Sequence, residues 1–125
     1  LILDTNAVSA LLDGDPSIAE TLAGEEQHHL PVIVIGEYRY GLVRSRERGR
    51  LGRLFDLFIN KSIVLPIDVD TTVHYVSLRE DLRRIGRPIP ENDVWVAALA
   101  TQYGLPVVSR DTHFDQVAGV ERLDW

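Results

Sequence analysis

The sequence predicts an α/β protein built on a mostly parallel sheet. Two observations carry that expectation. Short apolar runs of strand length recur along the chain, at "LIL", "LPVIV", "SIVLPI" and "LPVVS". Between them lie longer segments whose apolar residues repeat at helical spacing. Strands that alternate with helices close most simply as parallel strands joined by helical crossovers. A length of 125 residues suits one domain spanning 1–125. A chain of that size buries roughly two thirds of its unfolded surface.

Each element follows from local pattern. "LILD" reads as a short buried strand over 1–4. Asp4, Thr5 and Asn6 are all helix-capping residue types, so a helix is expected over 6–12. "DGDP" is a turn, and Pro16 starts a second helix with Ile18, Ala19, Leu22 and Ala23 on one face. "LPVIV", 30–34, is a second strand, with His28 and His29 in the loop before it. The pattern turns helical near Gly36. "LGRLFDLFI" then sets Leu51, Leu54, Phe55, Phe58 and Ile59 on one helical face. "SIVLPI", 62–67, is a third strand. Asp68 and Asp70, or a neighbouring threonine, cap a helix over 71–86 that presents Tyr75, Leu78, Leu82 and Ile85. Gly86 and Pro88 end it. "IPENDVWVAALATQYG" is a further helix, stopped by Gly104. "LPVVS", 105–109, is a fourth strand, and a last short strand is expected near 120–124.

Composition narrows the function classes. There is no cysteine, hence no disulfide framework and no thiolate metal site, as suits a reducing compartment. No apolar run approaches the roughly 18 residues that span a bilayer, and no signal-peptide pattern opens the chain. The net charge is −6, which argues against a simple nucleic-acid binder with a uniformly basic surface. Yet the charge is unevenly spread. "RYGLVRSRERGRLGR", from Arg39 to Arg53, crowds arginines around a single acid, Glu47. An acidic pocket can sit beside a basic surface within one negative total.

The predicted sheet gathers the acids. In open α/β sheets ligands bind beyond the carboxyl ends of the strands. Asp4 ends the first strand, Glu37 follows the second and Asp111 follows the fourth. Asp93 lies in the first turn of a helix whose N-terminus belongs at the same edge. Asp68 and Asp70 fall there too, so topology alone defines an acidic edge without choosing its members. Carboxylates held close together repel, and a hard divalent cation with oxygen ligands relieves that repulsion. Mg²⁺ or Mn²⁺ fits such a set better than zinc, and paired ions of this kind hydrolyse phosphodiesters.

"LILDTN", "VIGEYRYG", "PENDVWVAALA" and "VVSRDTHFDQV" together resemble the four acidic motifs of a PIN domain, and more narrowly the VapC-type toxins of bacterial and archaeal toxin–antitoxin pairs. The motifs occur in order, and the resemblance runs through the final "VERLDW". It implies a PIN-like α/β fold and endoribonuclease activity dependent on Mg²⁺ or Mn²⁺, in which a metal-activated water attacks a phosphodiester without a covalent intermediate. It also implies a cognate VapB-like antitoxin, a homodimer and a cytoplasmic location. Carried over residue by residue, Asp4, Glu37, Asp93 and Asp111 form the acidic cluster. Asp4 and Asp93 are direct metal ligands, Glu37 and Asp111 act through waters or a second ion, and Thr5 and Asn6 orient Asp4 or a water. The antitoxin would lay an apolar helix in a groove and place an Arg or Lys among the carboxylates.

Plainer readings compete for each residue. Asp4 can be only a helix cap, Asp93 only a complement to a helix dipole, Glu37 a solvated helix residue and Asp111 a turn residue. His113 is expected to be structural or exposed rather than a proton shuttle, and Asp115 an outer ligand at most. Arg44, Arg46, Arg48, Arg50 and Arg53 are candidate RNA phosphate contacts, against a solvated face of an amphipathic helix. Trp95 is expected to pack rather than stack on a base. Two other function classes compete with a nuclease. Aspartate-based phosphoryl transfer of the haloacid-dehalogenase type needs a second aspartate two residues after the first, where this chain has Asn6. A response-regulator receiver needs a lysine at a late strand end, and the only lysine is Lys61, before the third strand. A non-catalytic PIN-like module acting through its partner is disfavoured by the presence of all four acids.

Overall fold

The computed structural model describes residues 1–125. Its elements run β1 (Ile2–Leu3), α1 (Thr5–Leu12), α2 (Pro16–Leu22), β2 (His29–Pro31), α3 (Val32–Leu42), α4 (Arg48–Asn60), β3 (Ile63–Leu65), α5 (Val69–Arg84), α6 (Glu91–Tyr103), β4 (Val107–Val108), a 3₁₀ turn (Thr112–Gln116) and β5 (Arg122–Leu123). The five strands form one sheet in the order β3-β2-β1-β4-β5, and every pairing is parallel. No helix is long and apolar enough to cross a membrane.

The strand order fixes the place of the site. From β1 the chain steps outward through β2 to β3, then returns to the other side of β1 as β4 and β5. The reversal therefore lies between β1 and β4, where Ile2 pairs with Val107 and Leu3 with Val108. Crevices in open parallel sheets form at such a switch point, beyond the strands' carboxyl ends. Asp4 and Ser109 are the first residues past those two strands. Ile2, Leu3, Val107 and Val108 are fully buried, as expected of central strands covered on both faces.

Two helices form the walls of that crevice. α6 carries Val94, Val96, Ala97, Ala98, Leu99 and Ala100 into the core and is buried on nearly all sides. Small residues let it approach its neighbours that closely, and it packs along α5. Gly104, at φ 65°, closes α6 in the left-handed conformation that glycine adopts freely. α1 starts directly after Asp4 and buries Ala7 and Val8.

Three expectations are corrected. The pattern predicts a second strand over 30–34, but the strand ends at Pro31, and Val32 to Ile35 are already helical. A run of β-branched residues suggests a strand, at a helix cost of roughly 0.5 kcal/mol each. Packing reverses that preference, because Val34 and Tyr38 are both buried one helical turn apart. Secondly, His29 is the first residue of β2 rather than a loop residue, since it pairs with Ile2 on one side and Ile63 on the other. Thirdly, Leu54 and Ile85, assigned to apolar helix faces, are exposed, while Leu51 and Phe55 on α4 and Leu78 and Leu82 on α5 supply the buried contacts. The α5 cap is Asp68, whose carboxylate accepts from the Thr71 amide at 3.0 Å in a capping box, and Asp70 lies in the first turn.

Candidate metal centre

Four carboxylates and a histidine meet at the switch point. Asp4 occupies the N-cap of α1, yet its side chain makes no capping hydrogen bond. Its Oδ2 instead accepts from the Ser109 hydroxyl at 2.8 Å and from Asn6 Nδ2 at 3.4 Å. Asn6 Nδ2 also reaches Ser109 Oγ at 3.1 Å, and Asn6 Oδ1 accepts from the Arg110 amide. The two central strand ends are thus stitched together by side chains.

On the far side, Asp93 sits in the first turn of α6. Asp111 caps the 3₁₀ turn by accepting from the His113 amide at 2.9 Å. His113 Nδ1 lies 3.0 Å from Asp93 Oδ2 and 2.8 Å from Asp111 Oδ1. One ligand atom from each of Asp93, Asp111 and His113 falls within 4.8 Å of the others. Glu37 is one turn into α3 and reaches back, so that Thr5 Oγ1 donates to its Oε2 at 3.2 Å.

The electrostatics are those of crowded acids. Burial pushes Asp93 up to about 6, and the charges of Asp4 and Asp111 push the same way, against a lowering hydrogen bond from His113. Asp4 is raised chiefly by burial and further by Asp111, while hydrogen bonds from Ser109 and the Thr5 backbone oppose the shift. Glu37 is raised by burial and then by Asp4, with Thr5 and Asn92 partly offsetting it. His113 is raised by its bond to Asp93 and by the nearby Asp111 charge. The only basic side chain that contacts the cluster is His113. The neighbouring arginines turn away: Arg110 goes to Asp15, Asp124 and the Trp125 ring, and Arg122 to Asp115 and Asp124.

That donor set fits a hard divalent cation. Buried carboxylates held above their ordinary range, with no Lys or Arg among them, are relieved by a bound ion. Oxygen donors from Asp4, Asp93, Asp111 and Glu37 suit Mg²⁺ or Mn²⁺.

Sequence reasoning brought the four acids to one edge, and the structure gathers all four there. It overlooked Ser109, which is fully buried between Asp4 and the Asp111 amide, itself donating to Ser109 Oγ at 2.9 Å. A polar residue closing the apolar run "PVVS", just as Asp4 closes "LIL", was the available signal. The sequence expectation for His113 is a structural or exposed residue. It is solvent-accessible but bonds two of the acids. Asp115 is no outer ligand, because both its oxygens are held by Arg122, at 2.8 and 3.1 Å. Trp95 stacks on Tyr75 with ring centroids 3.8 Å apart, as packing predicted. Arg44 and Arg46 lie in the turn between α3 and α4, and Arg48, Arg50 and Arg53 on α4; all five are exposed. A groove of about 310 Å³ runs from Thr5 and Glu37 to Ser45, Glu47 and Leu51; of the four acids it touches only Glu37, and no arginine lines it. A larger groove of about 710 Å³, between α5 and the start of α6, contains none of the clustered acids.

The fold and the site define an α/β protein with a cation-ready acidic cluster at its topological switch point. The chain belongs to the PIN domain family, which it matches over residues 1–120. It is 28% identical over 135 residues to VapC ribonuclease Y4jK of Sinorhizobium fredii, covering 99% of this chain and 96% of that protein. It is 30% identical over 95 residues to ribonuclease VapC5 of Mycobacterium tuberculosis, covering 74% of this chain and 70% of that protein. Among solved structures, DNA-bound VapBC from Salmonella typhimurium superposes with a TM-score of 0.89 at 28% identity, over 99% of this chain and 96% of that one.

Proposed function

We propose that the protein is a metal-dependent endoribonuclease and the toxin of a toxin–antitoxin pair, acting as one PIN-like domain in a bacterial or archaeal cytoplasm. The observation that carries the reading is the cluster of Asp4, Glu37, Asp93 and Asp111 at the switch point, with Asp93 pushed up to about 6 by burial and neighbouring acids. The ribonuclease names of its relatives support the substrate class. VapBC structures among its neighbours support a VapB-like antitoxin.

Asp4 and Asp93 would hold Mg²⁺ or Mn²⁺ directly, with Asp111 and Glu37 completing the set. When bound, the ion supplies a nucleophilic water at neutral pH and neutralises charge on the phosphodiester. The chain's own residues do the rest. Ser109 and Asn6 fix the Asp4 carboxylate by hydrogen bonding, and Thr5 fixes Glu37. Orienting partners of this kind keep ligands ready before substrate arrives. His113 holds a proton between Asp93 and Asp111, and so limits their repulsion. The arginines from Arg44 to Arg53 guide the RNA backbone. The antitoxin occupies the groove beside Glu37 and sets a cationic side chain among the acids. A homodimer completes the toxin.

The test is cleavage of RNA by the purified protein in Mg²⁺ or Mn²⁺, with EDTA and Asp93→Asn as controls. Cleavage lost in both controls is the expected result. Activity that survives Asp93→Asn overturns the assignment.

A further inference from the structure

We propose that Arg122 is a positioning residue that clamps both ends of the turn carrying Asp111 and His113. Sequence gives no hint of this. The guanidinium sits on β5, separated from the acids by the whole 3₁₀ turn. Its Nε and one Nη donate to the two oxygens of Asp115, at 2.8 and 3.1 Å. Its other Nη donates to the Ser109 carbonyl at 3.1 Å and approaches Asp124 at 3.4 Å. Ser109 lies three residues before the 3₁₀ turn and Asp115 near its end, so a single planar group spans the segment between them. Asp111 and His113 lie between the two anchors.

The placement of Arg122 is itself secured. β5 pairs with β4 in register, Val107 opposite Arg122 and Val108 opposite Leu123, and the Ser109 amide donates to the Leu123 carbonyl at 3.0 Å. The Arg122 side chain is only 17% exposed, unlike the surface arginines of α4. The fork is bidentate, so although Asp115 itself is exposed it is a directional contact rather than a loose ion pair. Lysine cannot reproduce it, because an ammonium is a point charge without the fork. Any shift of Ser109 is felt twice, because its hydroxyl also holds Asp4. Arg122 thus sets Asp111 and His113 through the turn, and Asp4 through Ser109, without touching the reacting groups.

The clamp deepens the metal-centre reading above, and its test is chosen to separate the two. Arg122→Lys and Asp115→Asn are purified beside the wild type. Mn²⁺ affinity is measured without RNA, amide hydrogen exchange is followed across Ser109–His113, and thermal midpoints are recorded. Outer partners of metal ligands are worth about 10- to 100-fold in affinity. The expected result is a loss of Mn²⁺ affinity of about tenfold in Arg122→Lys, faster exchange confined to the turn, and a smaller effect of the same kind in Asp115→Asn. A lowered midpoint with unchanged Mn²⁺ affinity and unchanged exchange in the turn makes Arg122 a staple of the fold and overturns the proposal. Wild type that binds Mn²⁺ but cleaves no RNA would sink the nuclease reading and leave the clamp standing on its own data. Were wild type to bind no Mn²⁺, exchange in the turn alone decides: unchanged rates in both variants overturn the clamp.

Discussion

The ends of β1 and β4 lie side by side and look alike in sequence, yet they do different work. Each is a two-residue, fully buried strand that runs into polar residues, Asp4-Thr5-Asn6 in one case and Ser109-Arg110-Asp111 in the other. After β1 the first residue is the carboxylate itself. After β4 the first residue is a hydroxyl, and the carboxylate comes two residues later on a turn. The β1 end is fixed by the helix that begins at once behind it. The β4 end leaves the sheet for an exposed turn and depends on distant side chains for its shape. The β1 end presents its carboxylate directly, whereas the β4 end presents a carboxylate on a turn held by side-chain hydrogen bonds.

The largest expected effects break the β1 end and the start of α6 that faces it. Asp4→Asn and Asp93→Asn should each reduce RNA cleavage by about 10³-fold, the order lost when a preorganised charge is removed from a reacting centre. Neither should unfold the protein, since each removes a buried charge with a raised pKa. Single-turnover cleavage and a thermal melt on the same sample check both halves. The β4 end predicts a smaller loss. Ser109→Ala removes the donor to Asp4 and the acceptor of the Asp111 amide. Activity should fall about 10- to 100-fold, with a stability cost of about 1–2 kcal/mol for the lost buried hydrogen bonds. If Ser109→Ala cuts as fast as wild type, the two ends are independent and the stitching between them is irrelevant to catalysis.

The next prediction concerns pH in the absence of metal. The folded Asp93 carboxyl holds its proton up to about 6, above the ordinary aspartate value of 3.8. Folding therefore takes up a proton between those values, and stability falls as pH rises through them. His113 acts in the same direction, because its folded pKa is raised above 6.5 and its contribution is lost as pH climbs through that raised value. The side chain of Asp93 is only 12% exposed, so the loss attributable to it is on the order of 3 kcal/mol. Asp15, Asp68, Glu80 and Asp115 have lowered values and titrate at the acid end with the opposite sign. The informative window is thus about pH 4.5–7. Melts in EDTA should show stability declining across it. Saturating Mg²⁺ should flatten the profile by stabilising the ionised acids, and Asp93→Asn should reduce the slope without metal but not abolish it, because Asp4 and Glu37 are raised in the same direction.

The same contrast explains what could be read from the sequence. β1 and its acid were legible because apolar run, carboxylate and helix caps are contiguous. Asp93 was legible because a helix start is a local pattern. The β4 end was half legible: Asp111 follows from the sheet edge, but His113 gains its role only when the turn folds back toward α6. Arg122 has no local signature, since its partners Ser109 and Asp115 are fixed by parallel pairing of β4 with β5. The start of α3 was misread for a related reason. Val32 to Ile35 favour a strand by residue type, and only the burial of Val34 beside Tyr38 makes them helical.

The smallest expected effect sharpens the comparison by testing what lies outside both strand ends. The basic segment is exposed, and its members are not equivalent. Arg50 is paired with Glu47 at 2.9 Å, and Arg48 donates to the Ser45 carbonyl at 3.1 Å. Arg44, Arg46 and Arg53 have no ion-pair partner in the protein, so they are the ones free to meet phosphate. Each phosphate neutralised on a single strand contributes a slope of about −0.7 to log affinity against log salt. In an Asp93→Asn background, which prevents cleavage, replacing all three by alanine should lower that slope by about 2. RNA affinity should weaken by a few-fold per residue, whereas Arg48→Ala and Arg50→Ala should do less. In the active protein the same triple change should raise KM and leave kcat close to wild type, as expected if these arginines meet the RNA backbone away from the acidic cluster. An unchanged salt slope would make the segment merely the solvated face of α4, and the groove from Glu37 to Leu51 would then be left to the antitoxin alone.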